Sequence, residues 1–167
     1  MVTSGVLIRR LLPADAAAYR TLRLAGLAES PEAFGSDVAT ESASPLDAFA
    51  TTLASGYVAG GFVDDRLVAL AGFRQSDREK MRHRGDIWGI YVAPAARGTG
   101  LGRRIMEHIL DHARSRVMQV HLSVTTNNAP AVALYEKLGF ERYGTEPRAL
   151  KVDGRYLDEY LMVLRFV

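Results

Sequence analysis

Apolar and polar residues alternate along this chain in blocks whose period changes, and each change marks an element. Val6 to Leu12 reads as a first strand, ended by Pro13. Asp15 stands where a helix N-cap would. Ala16 to Leu27 supplies the helix, with Leu22, Leu24 and Leu27 as candidate core contacts. Ser30 to Gly35 is a loop or short turn. Ser44-Pro45 reads as an N-cap with proline at the first helical position, opening a helix to about Leu53 that Ser55-Gly56 ends. Tyr57–Val63 and Arg66–Arg74 flank an Asp64-Asp65 turn and predict an antiparallel hairpin. Glycines 60, 61 and 72 weaken both strands and mark candidate bulges.

Gln75 to Gly85 is polar and charged, and reads as a solvated loop or as an edge facing an acceptor or an adenosine phosphate. Asp86 to Ala93 is the next strand, and Gly102 to about Arg116 a helix. In Val117 to Val124, Gln119, His121 and Ser123 alternate with Val120, Leu122 and Val124, a strand pattern. Strand, helix and strand at this length imply a parallel pair with a right-handed crossover. Ala129 to Leu138 is a short helix stopped by Gly139. Phe140–Lys151 and Tyr156–Phe166 are strands joined at Asp153-Gly154, a strong hairpin signal. The expectation is one α/β (α+β) domain over residues 1–167. Its mixed sheet is antiparallel at the ends and parallel in the middle, flanked by about four helices.

Composition narrows the class. The 167 residues are 48% hydrophobic, enough for a substantial core, and the net charge is +2 despite a sequence pI of about 9.0. That balance gives little support to nucleic-acid binding, although arginines gather at Arg78–Arg84 and Arg97–Arg104. The absence of cysteine excludes disulfides, thiolate metal sites and a cysteine nucleophile. No signal-peptide core and no run near the roughly 18 apolar residues of a membrane span is present. A soluble cytoplasmic protein with no membrane partner is expected.

One junction carries chemistry. The strand ending at Val92-Ala93-Pro94 leads into Arg97-Gly98-Thr99-Gly100-Leu101-Gly102 and then into a helix. Strand, glycine loop and helix N-terminus aim backbone N–H groups and a helix dipole at one spot, which suits a phosphate. Gly98, Gly100 and Gly102, flanked by Arg97, Arg103 and Arg104, exceed the needs of an ordinary turn. A nucleoside-triphosphate loop is excluded, because no Gly-Lys-Ser/Thr follows. A dinucleotide fingerprint fails by one residue of spacing.

Two stretches together resemble the GNAT superfamily of acetyl-coenzyme-A-dependent N-acetyltransferases. Arg97 to Gly102 matches its (Gln/Arg)-x-x-Gly-x-(Gly/Ala) pyrophosphate loop. Asn128-Ala129-Pro130-Ala131-Val132-Ala133-Leu134-Tyr135-Glu136-Lys137-Leu138-Gly139-Phe140 matches its Asn-x-x-Ala…Leu-Tyr-x-x-x-Gly-Phe signature. The likeness is detailed from Asp86 to Phe140 and looser elsewhere.

The resemblance implies acetyl-CoA as cosubstrate and a primary-amine acceptor, small molecule or peptide, attacking directly in a ternary complex. It implies no metal. It implies that Arg97, Gly98, Thr99, Gly100, Leu101, Gly102 and Arg103 surround the pyrophosphate. Pantetheine would lie along the backbone of Ile90, Tyr91 and Val92, in a gap where the central parallel strands splay, with Asn128 contacting the coenzyme. Tyr135 is the candidate acid at the coenzyme sulfur. Asp86 is the candidate base, through water, at a strand start where many members carry glutamate. Gly89 fits a bulge there or a packing glycine. Trp88 and Tyr91 are expected on opposite faces of their strand, and His121 is a weaker candidate base. His108 and His112 lack the glutamate of a zinc motif and read as surface histidines. The acceptor pocket is expected from Ala28–Gly35, Gln75–Gly85 and the Thr145–Asp158 hairpin; Glu29, Glu32, Glu146, Asp158 and Glu159 are candidates to attract a cationic amine there, and Arg148 and Arg155 to attract a carboxylate, unless each is simple surface charge. Homodimerisation is compatible with this class. A non-catalytic acyl-CoA-binding sensor is the alternative.

Overall fold

The computed structural model describes residues 5–167. Seven strands form one sheet: β1 (Val6–Arg10), β2 (Tyr57–Val63), β3 (Arg66–Gln75), β4 (Arg84–Val92), β5 (Gln119–Thr125), β6 (Glu141–Val152) and β7 (Arg155–Arg165). Their order is β1-β2-β3-β4-β5-β7-β6. Only β4 and β5 pair in parallel; every other neighbouring pair is antiparallel. The helices are α1 (Ala16–Glu29), α2 (Val38–Ser42), α3 (Leu46–Ser55), α4 (Leu101–Arg114) and α5 (Ala129–Lys137). The expected mixed α/β sheet is observed.

Each face of the sheet has its own core. In α4, Leu101, Ile105, Met106, Ile109, Leu110 and Ala113 fall at three- and four-residue steps and are all buried. They pack with Val132 and Tyr135 of α5 against Ala71, Phe73, Val120, Leu122 and Met162 of the sheet. On the other face, Tyr19, Leu22 and Leu27 of α1 and Phe49 and Leu53 of α3 close on Val58, Leu70 and Tyr91. Burying one such large side chain contributes about 1.5–3 kcal/mol. Helices α1 and α3 cover the β1–β4 half of that face, so β5, β7 and β6 keep a more open surface there.

The turns follow their residues. Asp64 and Asp65 both take positive φ (48° and 63°), as do Asp153 and Gly154 (49° and 77°), which matches the twist of tight hairpins.

Several boundaries differ from expectation. Asp15 takes the N-cap position of α1 as expected but makes no side-chain capping bond; its carboxylate instead accepts the Leu12 N–H (2.7 Å) and pairs with Arg9 (2.9 Å), pinning the chain as it leaves β1. Pro45, not Ser44, is the N-cap of α3, with no side-chain hydrogen bond. The short helix α2 has no counterpart in the periodicity, because its single turn holds too few apolar positions to show one; the Asp37 carboxylate caps it by accepting the Thr40 N–H. The final strand, β7, inserts between β5 and its own hairpin partner β6.

Candidate active site

The site begins as a failure of pairing. Strands β4 and β5 are in register only at Arg84–Gln119, Gly85–Val120 and Asp86–His121. Beyond Asp86 they part. The cause lies in β4, where Gly89 takes φ +61° and β3 slips register between Leu70 and Gly72. Gly89 and Ile90 together oppose Ala71, a bulge that bends the strand and increases its twist. The bulge also corrects the expected facing of Trp88 and Tyr91. The extra residue resets the alternation, so both side chains pack on the α1 side. Trp88 lies flat over Gly72, where an added Cβ would stand 2.3 Å from the indole ring.

Parting the strands leaves backbone groups facing each other across a gap. The Ala93 N–H donates to Val68 O of β3 at 2.8 Å. Alternation therefore turns the peptide groups of Ile90 and Val92 toward β5. A cavity of about 490 Å³ occupies the gap, lined by Ile87 to Val92, Ser123 to Thr125 and the α5 residues Ala131, Leu134 and Tyr135.

At one end of this cavity stand Ala96, Arg97, Gly98 and Gly102. Gly98 and Gly100 take φ of +76° and +81°, and a Cβ at either would meet only open space. Gly100 is the N-cap of α4, which has no side-chain cap. Its first N–H groups are therefore left for a ligand, at the positive end of a 14-residue helix. Thr99 stiffens the loop by donating from Oγ1 to the Ala96 carbonyl at 2.6 Å.

Two of the three flanking arginines, Arg97 and Arg103, are already engaged. Arg97 grips Glu29 with both terminal nitrogens (3.1 and 2.8 Å) and donates from Nε to Val92 O at 2.9 Å. The guanidinium, helped by Ser30 and Tyr91 hydroxyls, draws the Glu29 carboxyl down to about 2. Arg103 pairs with Glu107 at 2.8 Å along the helix. Leu101 is 2% exposed, so only its backbone faces the loop, while its side chain packs near Gly61. Asn128 caps α5 by accepting the Ala131 N–H at 3.3 Å and also lines the cavity.

Tyr135 reaches the cavity from α5. It is 6% exposed and packs edge-on against Phe140, with ring centroids 6.0 Å apart. Burial pushes its phenol well above the usual tyrosine value, so the group holds its proton. Among the described residues no protein group hydrogen-bonds its hydroxyl.

Asp86 lies outside the cavity lining. Its carboxylate is 4.0 Å from Arg74, and its backbone faces His121 on β5. His121 hydrogen-bonds Gln119 (2.9 Å) and Tyr143 (3.3 Å), and burial lowers its pKa. Of the segments expected around the acceptor, Ser30, Glu32 and Ala33 line this cavity and Gln75–Gly85 does not. Ser123, Thr125 and Leu134 are lining residues that sequence reasoning did not single out. The β5 alternation held the signal for Ser123, since it places that residue on the face of His121. His112 is not a plain surface residue: it stacks on Tyr57 with centroids 3.5 Å apart, beside Phe73.

A model of the acetyltransferase (GNAT) family matches residues 24–140. The chain belongs to this family, whose members use acetyl-CoA as acyl donor. An uncharacterized protein of Mycobacterium leprae is 39% identical over 71% of the chain, a stretch spanning only 32% of that relative's length. The N-alpha-acetyltransferase RimI of Mycobacterium tuberculosis is 38% identical over 71% of the chain and 73% of its own length. The structure of yncA from Salmonella typhimurium, determined with its cofactor acetyl-CoA, shares the fold. It has a TM-score of 0.82 at 23% identity, covering 96% of this chain and 93% of that one.

Among the described residues no helix is long and apolar enough to cross a membrane.

Proposed function

We propose that this protein moves an acetyl group from acetyl-CoA to a primary amine, by direct attack within a ternary complex. One observation carries the reading. The uncapped α4 N-terminus, the unpaired edges of β4 and β5, and the Tyr135 side chain all open on one cavity. Pyrophosphate fits the first, the amide-bearing pantetheine arm the second, and the thioester sulfur the neighbourhood of the third. The loop's N–H groups and glycines do the holding. Arg97 reaches a phosphate only by releasing Glu29.

The chemistry poses two proton problems. An alkylamine of pKa about 10.4 is the free nucleophile in only about one molecule in 2,500 at pH 7, a handicap of roughly 4.6 kcal/mol. The departing thiolate, of pKa about 8.5, needs a proton as the tetrahedral adduct collapses. Tyr135 supplies that proton. A phenol with a raised pKa does not give it up early, so transfer accompanies C–S cleavage rather than preceding it. A backbone N–H of Ile90 or Val92 steadies the oxyanion. Asp86, two residues ahead of Trp88, passes the proton lost by the amine on to solvent through water.

The M. tuberculosis relative is named an N-alpha-acetyltransferase, so an α-amine belongs among the acceptors tried. The test pairs coenzyme A titration calorimetry with thiol release over an amine panel. Micromolar coenzyme A binding and amine-dependent thiol release are expected. Folded protein that binds no coenzyme A refutes the reading. Binding without thiol release from any amine turns it toward an acyl-CoA sensor.

A further inference from the structure

The cavity holds a carboxylate that this mechanism leaves unused. Glu159 of β7 is half-buried and lines the same cavity as Tyr135. Among the described residues no side chain pairs with it. The other lining carboxylate, Glu32, is neutralised by Arg155 at 2.9 Å and accepts from Asn127 at 3.1 Å. Arg97, the one cation in the lining among the described residues, is occupied by Glu29. Glu159 thus faces the cavity as an uncompensated negative charge.

Its position adds a second argument. Glu159 stands opposite Thr125 on β5 and opposite Glu146 on β6. Like charges directly across a sheet destabilise it. A cation at this point relieves that repulsion, and a protonated amine is such a cation. Asp86, by contrast, lies outside the lining and near Arg74.

We propose that Glu159 holds the acceptor's ammonium group and takes its first proton, so that the site selects cationic amines lacking an adjacent carboxylate. This rests on the acetyl-transfer reading above. The ammonium gives one proton to the Glu159 carboxylate and becomes the neutral amine. Its nitrogen lone pair forms the C–N bond as the thioester carbonyl becomes an oxyanion. The C–S bond then breaks as the carbonyl re-forms, and the thiolate takes the Tyr135 proton. The adduct nitrogen's surplus proton returns through water to Tyr135, and the Glu159 proton leaves to solvent, with Asp86 as outlet. One proton is released per turnover.

The experiment compares wild type with Glu159→Gln, Glu159→Asp and Asp86→Asn. The acceptors are Ala-Ala amide, n-butylamine, spermidine and free alanine. Thiol release gives kcat/KM, and calorimetry gives amine binding to the coenzyme A complex. Glu159→Gln is expected to weaken amine binding about 10- to 100-fold, the range for a hydrogen bond to a charged group. Its kcat/KM should fall at least about 100-fold, with coenzyme A affinity within about twofold of wild type. Glu159→Asp should recover part of the loss, and Asp86→Asn should lose less than Glu159→Gln. Wild type should prefer the three amines over free alanine by about tenfold or more. Glu159→Gln within twofold of wild type overturns the proposal. So does a wild type that binds coenzyme A but does not distinguish the amines from alanine; acetyl-CoA use then survives. Failure of wild type to bind coenzyme A overturns both.

Discussion

Tyr135→Phe separates chemistry from folding. The substitution deletes one oxygen and leaves the ring, which is 6% exposed and packed against Phe140. Because no protein group hydrogen-bonds the hydroxyl among the described residues, no partner is stranded by its removal. Folding stability should change by less than about 0.5 kcal/mol, or rise slightly. The glycine loop and the α4 N-terminus are untouched, so coenzyme A affinity should stay within about twofold. A positioned acid contributes about 10²- to 10⁴-fold, or roughly 2.7–5.4 kcal/mol in the barrier. The expected result is a kcat lowered by that factor, with melting temperature and coenzyme A dissociation constant unchanged. Thiol release with an accepted amine, thermal melts and calorimetry read the three quantities. A kcat within about twofold of wild type refutes Tyr135 as the acid. A kcat loss matched by an equal loss of coenzyme A affinity shows a packing role instead.

Two further substitutions test the frame around the site. Gly100 sits at φ +81°, a backbone that costs an L-residue about 1–2 kcal/mol. Gly100→Ala should lower the melting temperature by about 2–8 °C and weaken coenzyme A, because the new methyl enters the open space over the loop. Calorimetry showing unchanged affinity would place the pyrophosphate elsewhere. His112 has a pKa drawn down to about 4, chiefly by burial and then by the charges of Arg116, Arg10 and His108. The unfolded chain protonates near 6.5 while the folded one resists until about 4, so stability falls as pH drops through that window. His112→Phe keeps the stack on Tyr57 and should flatten urea midpoints between pH 4 and 7; an unchanged slope would remove His112 as its source.

The legible part of the fold was local. The β2–β3 hairpin ran as expected at Tyr57–Val63, because its two-residue aspartate turn and flanking β-branched and aromatic residues agree. The glycine loop was legible for the same reason: spacing alone fixes where backbone is bare. The opposite held for Trp88 and Tyr91. Simple alternation placed them on opposite faces, and one positive-φ glycine between them overturned it. Asp15 stands at the N-cap of α1 as its residue type suggests, but Arg9 on the preceding strand takes the carboxylate that would have capped the helix. Arg97 looked free for phosphate, yet Glu29 at the far end of α1 holds it. These outcomes depend on residues many positions away.

Sequence by itself determined the class of element at nearly every position, the one parallel crossover, and the loop whose bare backbone suits a phosphate. Those features rest on local sterics and short-range periodicity, which a chain carries wherever it folds. The tertiary structure decided where the two central strands part, since the parting needs both a bulge in β4 and a partner strand to leave. It also decided that β7 lies between β5 and β6. That insertion brings Glu159 to the cavity of Tyr135 from the far end of the chain. Residues 24 positions apart line one cavity because the β5–β7 pairing, not sequence distance, decides which segments border it.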